Sequence, residues 1–212
     1  MKKIVFTALI LLLVKLAEAQ PINLEGMAGD DYLFYQHLIA KKLSARSRLG
    51  ILHIANVSIR YETDIKKGGR PNEVMNQAYI TTSLNKHFTL LTGMYYNHVN
   101  GIRASAAVQF AWRFKNGLFI ALPRADIQHR GSVDVMTMLE YQPLITKRIK
   151  LYTRLQVMSN YGPFQHNRSY QRLRLGVDIK GTQLGVGVNI DEYGRESTLN
   201  FNTGIFIRKE II

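Results

Sequence analysis

Residues 100–117 read NGIRASAAVQFAWRFKNG. An Asn-Gly pair opens the stretch and another closes it. Between them Ile102, Ala104, Ala106, Val108, Phe110, Trp112 and Phe114 fall on one face. Arg103, Ser105, Ala107, Gln109, Ala111, Arg113 and Lys115 fall on the other. This is the period of a β-strand with one apolar and one polar side. At about 3.3 Å per residue such a strand runs about 46 Å. A strand tilted about 45° needs about that length to cross a hydrocarbon core about 30 Å thick. Asn116-Gly117 reads as a tight hairpin turn.

The same alternation recurs on both sides. Leu49, Ile51, His53, Ala55, Val57, Ile59 and Tyr61 share a face, and so do Phe88, Leu90, Thr92, Met94 and Tyr96. Val133 to Tyr141, Ile149 to Val157, Leu173 to Ile179, Leu184 to Ile190 and Leu199 to Ile207 continue the pattern. Ten strands are expected from residue 48 onward. Turns at 85–87, 115–117, 143–147 and 180–182 alternate with mostly longer polar connections at 63–73, 97–101, 128–132, 161–168 and 191–197. Short turns on one side and longer loops on the other fit an up-and-down barrel that spans a membrane.

Two segments resist this reading. Tyr32 to Leu43 reads either as a further strand or as a short helix capped by Asp30. Residues 20–47 therefore add strands, to a total of twelve, or form a periplasmic or lumenal arm on a ten-stranded barrel. Pro123 lacks the ladder donor. A bulge there is expected to turn Leu118, Ile120 and Leu122 outward and Arg124 and Asp126 inward. Without a bulge the two charges would follow the leucines onto the apolar face.

Alternation alone does not say which face is inside. The polar face carries Arg60, Arg103, Arg113, Arg154, Arg172, Arg174 and Arg208, with Asp134, Glu140 and Asp178. It also carries Gly185, Gly187 and Gly204. Mid-strand glycine weakens a strand, and arginine suits enclosed ion pairs, so this face reads as a lumen. Aromatic residues near strand ends (Trp112, Phe114, Phe88 and Tyr141 on one rim, Tyr61 and Tyr96 on the other) match interfacial belts. The fold expected is all-β, an antiparallel up-and-down transmembrane β-barrel of 10–12 strands occupying residues 48–212, with or without the segment before it.

The start of the chain agrees. Lys2 and Lys3 precede the apolar run Ile4 to Leu16, and Ala17-Glu18-Ala19 fits a cleavage site, so residues 1–19 read as a secretory signal peptide. Removing Lys2, Lys3, Lys15 and Glu18 from 28 basic and 15 acidic residues leaves 25 and 14, a net charge of +11. That balance favours anionic partners, headgroups above nucleic acid for an exported protein. Cysteine is absent. No nucleic-acid motif, metal-ligand cluster or cofactor motif is found.

These features together resemble small outer-membrane β-barrel proteins of the kind abundant in Bacteroidota. The last strand, GIFIRKEII (204–212), partly resembles their assembly signal through Asn202, Gly204 and Ile207, but ends on Ile212 and not on an aromatic residue. The resemblance implies Sec-type export, insertion by the barrel-assembly machinery into the outer membrane of a Gram-negative bacterium, and a monomeric barrel among lipid and lipopolysaccharide.

Function is less legible. The lumen charges Arg103, Arg113, Arg154, Arg172, Arg174, Asp134, Glu140 and Asp178 read as a structural ladder of ion pairs, with an anionic-solute site as the alternative. At ten or twelve strands the lumen is narrow. Lys66, Lys67 and Arg70 in DIKKGGRPNE (64–73) are candidate lipid-headgroup contacts. A structural, adhesion or narrow-transport role is expected. One alternative is a lipid-modifying hydrolase built on His166 and Ser169 in YGPFQHNRSYQ (161–171), with Asn160 or Asn167 nearby. The other is an exported soluble barrel holding an apolar ligand inside.

Overall fold

A computed structural model describes residues 22–211; the expected signal peptide lies outside the described residues. Twelve strands follow one another: β1 Ile22–Gly29, β2 Tyr32–Lys42, β3 Leu49–Arg60, β4 Glu73–Ser83, β5 Phe88–Asn97, β6 Gly101–Phe114, β7 Gly117–Asp126, β8 Val133–Tyr141, β9 Ile149–Tyr161, β10 His166–Ile179, β11 Thr182–Tyr193 and β12 Thr198–Ile211. Each pairs antiparallel with its chain neighbours, and β1 closes on β12. Closure leaves no unpaired edge. The segment that the sequence left open contributes β1 and β2. Its alternation was blurred by His37, which points outward and shares a hydrogen-bonded chain with Tyr35, His53 and Asn76 on the outer face.

The barrel is apolar outside and polar inside. Ile102, Val108 and Trp112 of the opening strand are exposed, whereas Ser105 on its other face is fully buried. The exposed large side chains of the remaining strands are mostly Leu, Ile, Val and aromatic. Buried positions include nineteen polar or charged residues of the strands, from Glu25 to Arg208. Water rewards the reverse arrangement; this one is stable where the outer solvent is hydrocarbon.

The connections at the two ends are more alike than the sequence suggests. At one end lie 30–31, 61–72, 98–100, 127–132, 162–165 and 194–197; at the other lie 43–48, 84–87, 115–116, 142–148 and 180–181. Only 61–72 is long, and it carries a short 3-10 helix, Ile65–Lys67. We call the first set the loop end and the second the turn end.

Pro123 produces no bulge. The register from Ser105↔Asp126 to Phe114↔Gly117 is constant, and Pro123↔Val135 pairs regularly on the other side. The ladder to β6 simply skips the positions around Pro123, where the N–H is missing. Leu118, Ile120 and Leu122 therefore share the inward face with Arg124 and Asp126, contrary to expectation. The leucines follow the charges into the lumen, because that part of the lumen is itself apolar. A Pro123→Val variant restores the donor but loosens the unfolded chain. These effects oppose, so unfolding stability is expected to change by no more than about 1 kcal/mol. A urea titration of the folded barrel measures it; a larger loss would mean the proline shapes the strand.

The seam is locked from inside. Asn202 on β12 is fully buried, and its Oδ1 accepts from the backbone N–H groups of Asp31 and Tyr32 at 2.9 and 3.0 Å. Its Nδ2 donates to the Tyr32 carbonyl at 3.1 Å. Gly204 lies where β12 and β1 nearly touch: a Cβ there would fall 1.9 Å from the Ala28 carbonyl oxygen. Two residues of the C-terminal pattern thus have direct structural work at the closing strand pair, while Ile207 faces outward.

Candidate functional site: the lumen

Ion pairs organise the lumen in three groups. At the loop end Arg60 donates to Asp31 at 2.5 Å and to Glu73 at 3.0 Å. Arg168 on β10 reaches the same Glu73 at 2.5 Å and Asp191 at 2.6 Å. Strands β4 and β10 lie opposite each other in the ring, so Glu73–Arg168 crosses the lumen. The hydroxyls of Tyr32 and Tyr193 donate to Asp191 and Glu73 at 2.7 and 2.5 Å. Deeper, Glu25 on β1 holds Arg154 at 2.5 Å and Arg174 at 2.9 Å. Glu140 accepts from Arg208 at 3.0 Å and from the Tyr152 hydroxyl at 3.2 Å. On the β6–β8 wall Arg124 pairs with Asp126 and Asp134, each at 2.5 Å, and Arg103 adds to Asp126 at 3.1 Å. Burying charges of this kind is costly unless they are paired or hydrogen-bonded.

Of the eight residues in the expected ladder, Arg103, Arg154, Arg174, Asp134 and Glu140 stand in these pairs. Three do not follow it. Asp178 accepts from Gln183 and from the Gly181 N–H at the β10–β11 turn, not from an arginine. Arg113 sits exposed near the turn end and has no ion-pair partner among the described residues. Arg172 is 3 % exposed yet meets no carboxylate: it donates to Gln36 at 2.8 Å and stacks on Tyr170 and Phe34, 3.9 and 4.4 Å from the ring centres. Sequence reasoning missed Glu25, Glu73 and Asp191 in the lumen, and it read Arg168 as a rim residue facing lipid phosphates, where the structure turns it inward onto Glu73 and Asp191. Glu73, Arg168 and Asp191 lay in stretches read as loop, and Glu25 lay in the undecided segment.

Part of the lumen is apolar. Leu52, Ile54, Tyr79, Leu91, Ala107 and Leu122 pack together with Leu38, Met75 and Met136. Met27, Tyr32, Phe34, Tyr152 and Phe206 form a second cluster. These layers and the deep ion pairs are buried, so the lower lumen is packed shut. Above them a cavity of about 590 Å³ opens among the loop-end connections. Met75, Met136, Met138 and Met158 supply much of its apolar lining; Gln36, Asn56, Arg168, Tyr170 and Arg172 supply polar lining. Methionine adapts its shape to a partner better than branched residues do.

The other candidates lie apart from this cavity's floor. Lys66 and Lys67 are exposed on the short helix. Arg70 turns toward the mouth, its guanidinium 4.9 Å from the Tyr193 ring centre, and lines the cavity. His166 and Ser169 are hydrogen-bonded at 2.8 Å at the loop-end rim, each opposite an outward-facing residue of β9, and His166 also borders the cavity mouth. On the lumen side Asn167 donates to Asn160, which donates to Asp134, so neither assists that pair. Among the described residues no group of three or more His, Cys, Asp or Glu is placed to hold a metal ion.

No known protein family and no curated protein matches the chain. Solved structures do. A structure titled "NanC porin structure in rhombohedral crystal form" is similar over 90 % of this chain and 100 % of its own, at 11 % identity and a TM-score of 0.53. The "KdgM porin" is similar over 91 % of this chain and 100 % of its own, at 12 % identity and a TM-score of 0.51. At such identity the likeness is one of fold: a closed, antiparallel, twelve-stranded barrel of porin type.

Proposed function

We propose that the chain is an integral outer-membrane barrel with a narrow-transport role, closed at rest. The packed layer beneath a loop-end cavity carries this reading. An open diffusion pore has a continuous aqueous path, and here Leu91, Tyr79 and Tyr152 stand across it, all nearly or fully buried. A cavity of about 590 Å³ is of small-molecule size. Its lining suits an amphipathic solute, with an anionic or hydroxylated end toward Arg172 and an apolar body against the methionines. The fold shared with porins supports passage along the barrel axis. The apolar outer face and the rim aromatics support the membrane placement.

The chain is expected to fractionate with outer membranes, to need detergent, and to run faster on a gel unheated than heated. A product that stays in aqueous solution would overturn the placement. In planar bilayers the wild-type barrel is expected to show little steady conductance. Replacing Tyr79 and Leu91 together with alanine should raise it well above that baseline. A large steady conductance of the wild type, or no change on removing the two side chains, would count against a closed resting lumen.

A further inference from the structure

Strand β10 begins with an irregularity that changes what faces the lipid. In a regular strand residues three apart point to opposite faces. Between His166 and Arg168 the register to β9 shifts by one. His166 then pairs with outward-facing Tyr161, and Ser169 pairs with outward-facing Ser159. Asn167 turns to the lumen, where it donates to Asn160 at 2.7 Å. The bulge therefore puts His166 and Ser169 on the same outer face, three residues apart in sequence. Bulges of this kind recur beside active sites, where they re-aim side chains.

Hydrogen bonding fixes which atom carries each proton. Nδ1 of His166 lies 2.8 Å from the Gly194 carbonyl oxygen, which can only accept. Nδ1 therefore carries the hydrogen in the neutral ring, and Nε2 is left with its lone pair. The Ser169 hydroxyl, 2.8 Å from Nε2, must donate to it. Having donated its hydrogen, Ser169 Oγ can only accept from the Ser159 hydroxyl at 2.6 Å. A serine whose proton is already directed at a base, with that base held by a third group, is the arrangement of an activated nucleophile. Tyr161 steadies the imidazole edge-on, with ring centres 5.3 Å apart.

The surroundings select the substrate. Val135 lies beyond Ser159 on β8, and Leu199 lies beyond Glu192 on β11, which is directly opposite Ser169. Val133, Val135, Leu199 and Phe201 are all exposed on the apolar band. The dyad thus sits where that band gives way to polar loops, the depth at which the ester linkages of a lipid lie. The Glu192 carboxylate disfavours an anionic group at the serine itself and leaves a neutral ester carbonyl as the fitting partner.

We propose that Ser169 and His166 form a lipid-facing site that hydrolyses carboxylic esters of fatty acyl chains. Ser169 Oγ attacks the ester carbonyl carbon, its proton passes to His166 Nε2, and the carbon–oxygen bond to the alcohol breaks as that proton reaches the leaving oxygen. Water then attacks the acyl-serine, gives its proton to Nε2, and releases the fatty acid as the proton returns to Ser169. Ester and water become acid and alcohol, with no other reactant. The Ser159 hydroxyl, 2.6 Å from Ser169 Oγ, is a donor beside the carbon under attack. The site does not depend on transport through the lumen, but its substrate class rests on the outer face meeting lipid.

The test treats the folded chain in micelles with a fluorophosphonate and maps the modified peptide by mass spectrometry. In parallel, fatty acid release is measured from phosphatidylcholine vesicles and from a water-soluble short-chain ester. Wild type is expected to be labelled at Ser169 and to hydrolyse both. Ser169→Ala should lose the label and the activity, and His166→Gln should lower hydrolysis about 10²–10⁴-fold. Each variant is first shown to keep the unheated gel shift, which separates lost chemistry from lost folding. Folded wild type that carries no label at Ser169, or Ser169→Ala that hydrolyses as fast as wild type, overturns the proposal. Cleavage of the soluble ester without the lipid keeps the dyad and overturns the lipid as substrate.

Discussion

Glu25→Ala is expected to cost about 3–5 kcal/mol of folding free energy, because it leaves two buried cations without their shared anion. Glu25 is 3 % exposed and holds both Arg154 and Arg174. Neither arginine has another carboxylate within ion-pair distance among the described residues. Arg154 and Arg174 are themselves almost fully buried, so water cannot replace the lost partner without opening the wall. The contrasting variant is Arg174→Met. It removes one cation, leaves Glu25 paired with Arg154, and fills similar volume, so its cost is expected to be well under that of Glu25→Ala. Urea titration of barrels folded in lipid bilayers reads both. Equal costs would mean the carboxylate does not hold the pair of arginines together.

The second large effect is expected at the seam. Gly204→Val places a Cβ 1.9 Å from the Ala28 carbonyl and 2.6 Å from the Gly29 Cα, both backbone atoms of β1. Backbone cannot swing aside as a side chain can, so the closing strand pair must separate or shift. The cost is expected at or beyond the top of the ~1–3 kcal/mol typical of overpacking, with loss of the fast-migrating unheated band. Gly26 on the same strand pair is the control. A Cβ there meets nothing within 4 Å, and Gly26→Ala should stay within about 0.5 kcal/mol of wild type. If both glycines tolerate substitution alike, close approach is not what Gly204 provides.

The outline of the barrel was legible because period two survives noise. Ile102 to Phe114, and the strands like it, show one continuous apolar side. Three things were not legible, each for a physical reason. Leu118, Ile120 and Leu122 look like outward residues, yet they line a lumen that is apolar in part, and nothing local distinguishes leucine against lipid from leucine against methionine. His37 and Asn76 break the outer pattern because they satisfy one another through His53, a contact between strands that no single window of sequence contains. The bulge at Asn167 has no glycine or proline to mark it, although His166 and Ser169 had already stood out as a pair. The partners within the lumen were the least legible part. Arginines were recognised by type, but Glu73 and Asp191 come from the ends of β4 and β11; Asp191 meets Arg168 from the neighbouring strand, and only closure of the ring brings Glu73 to it.

The pair Glu73–Arg168 acts as a spoke. A cylinder without cross-members is easily squeezed into an ellipse, and its diameter then follows the lateral pressure of the bilayer around it. Joined across its width at the mouth, this wall holds its roundness there, as the Glu25 and Glu140 pairs hold it farther down. Any solute entering from the loop side must pass beside that spoke, so the aperture it meets is set by the Glu73–Arg168 pair and the Tyr193 hydroxyl that joins it, and not by the circumference of twelve strands.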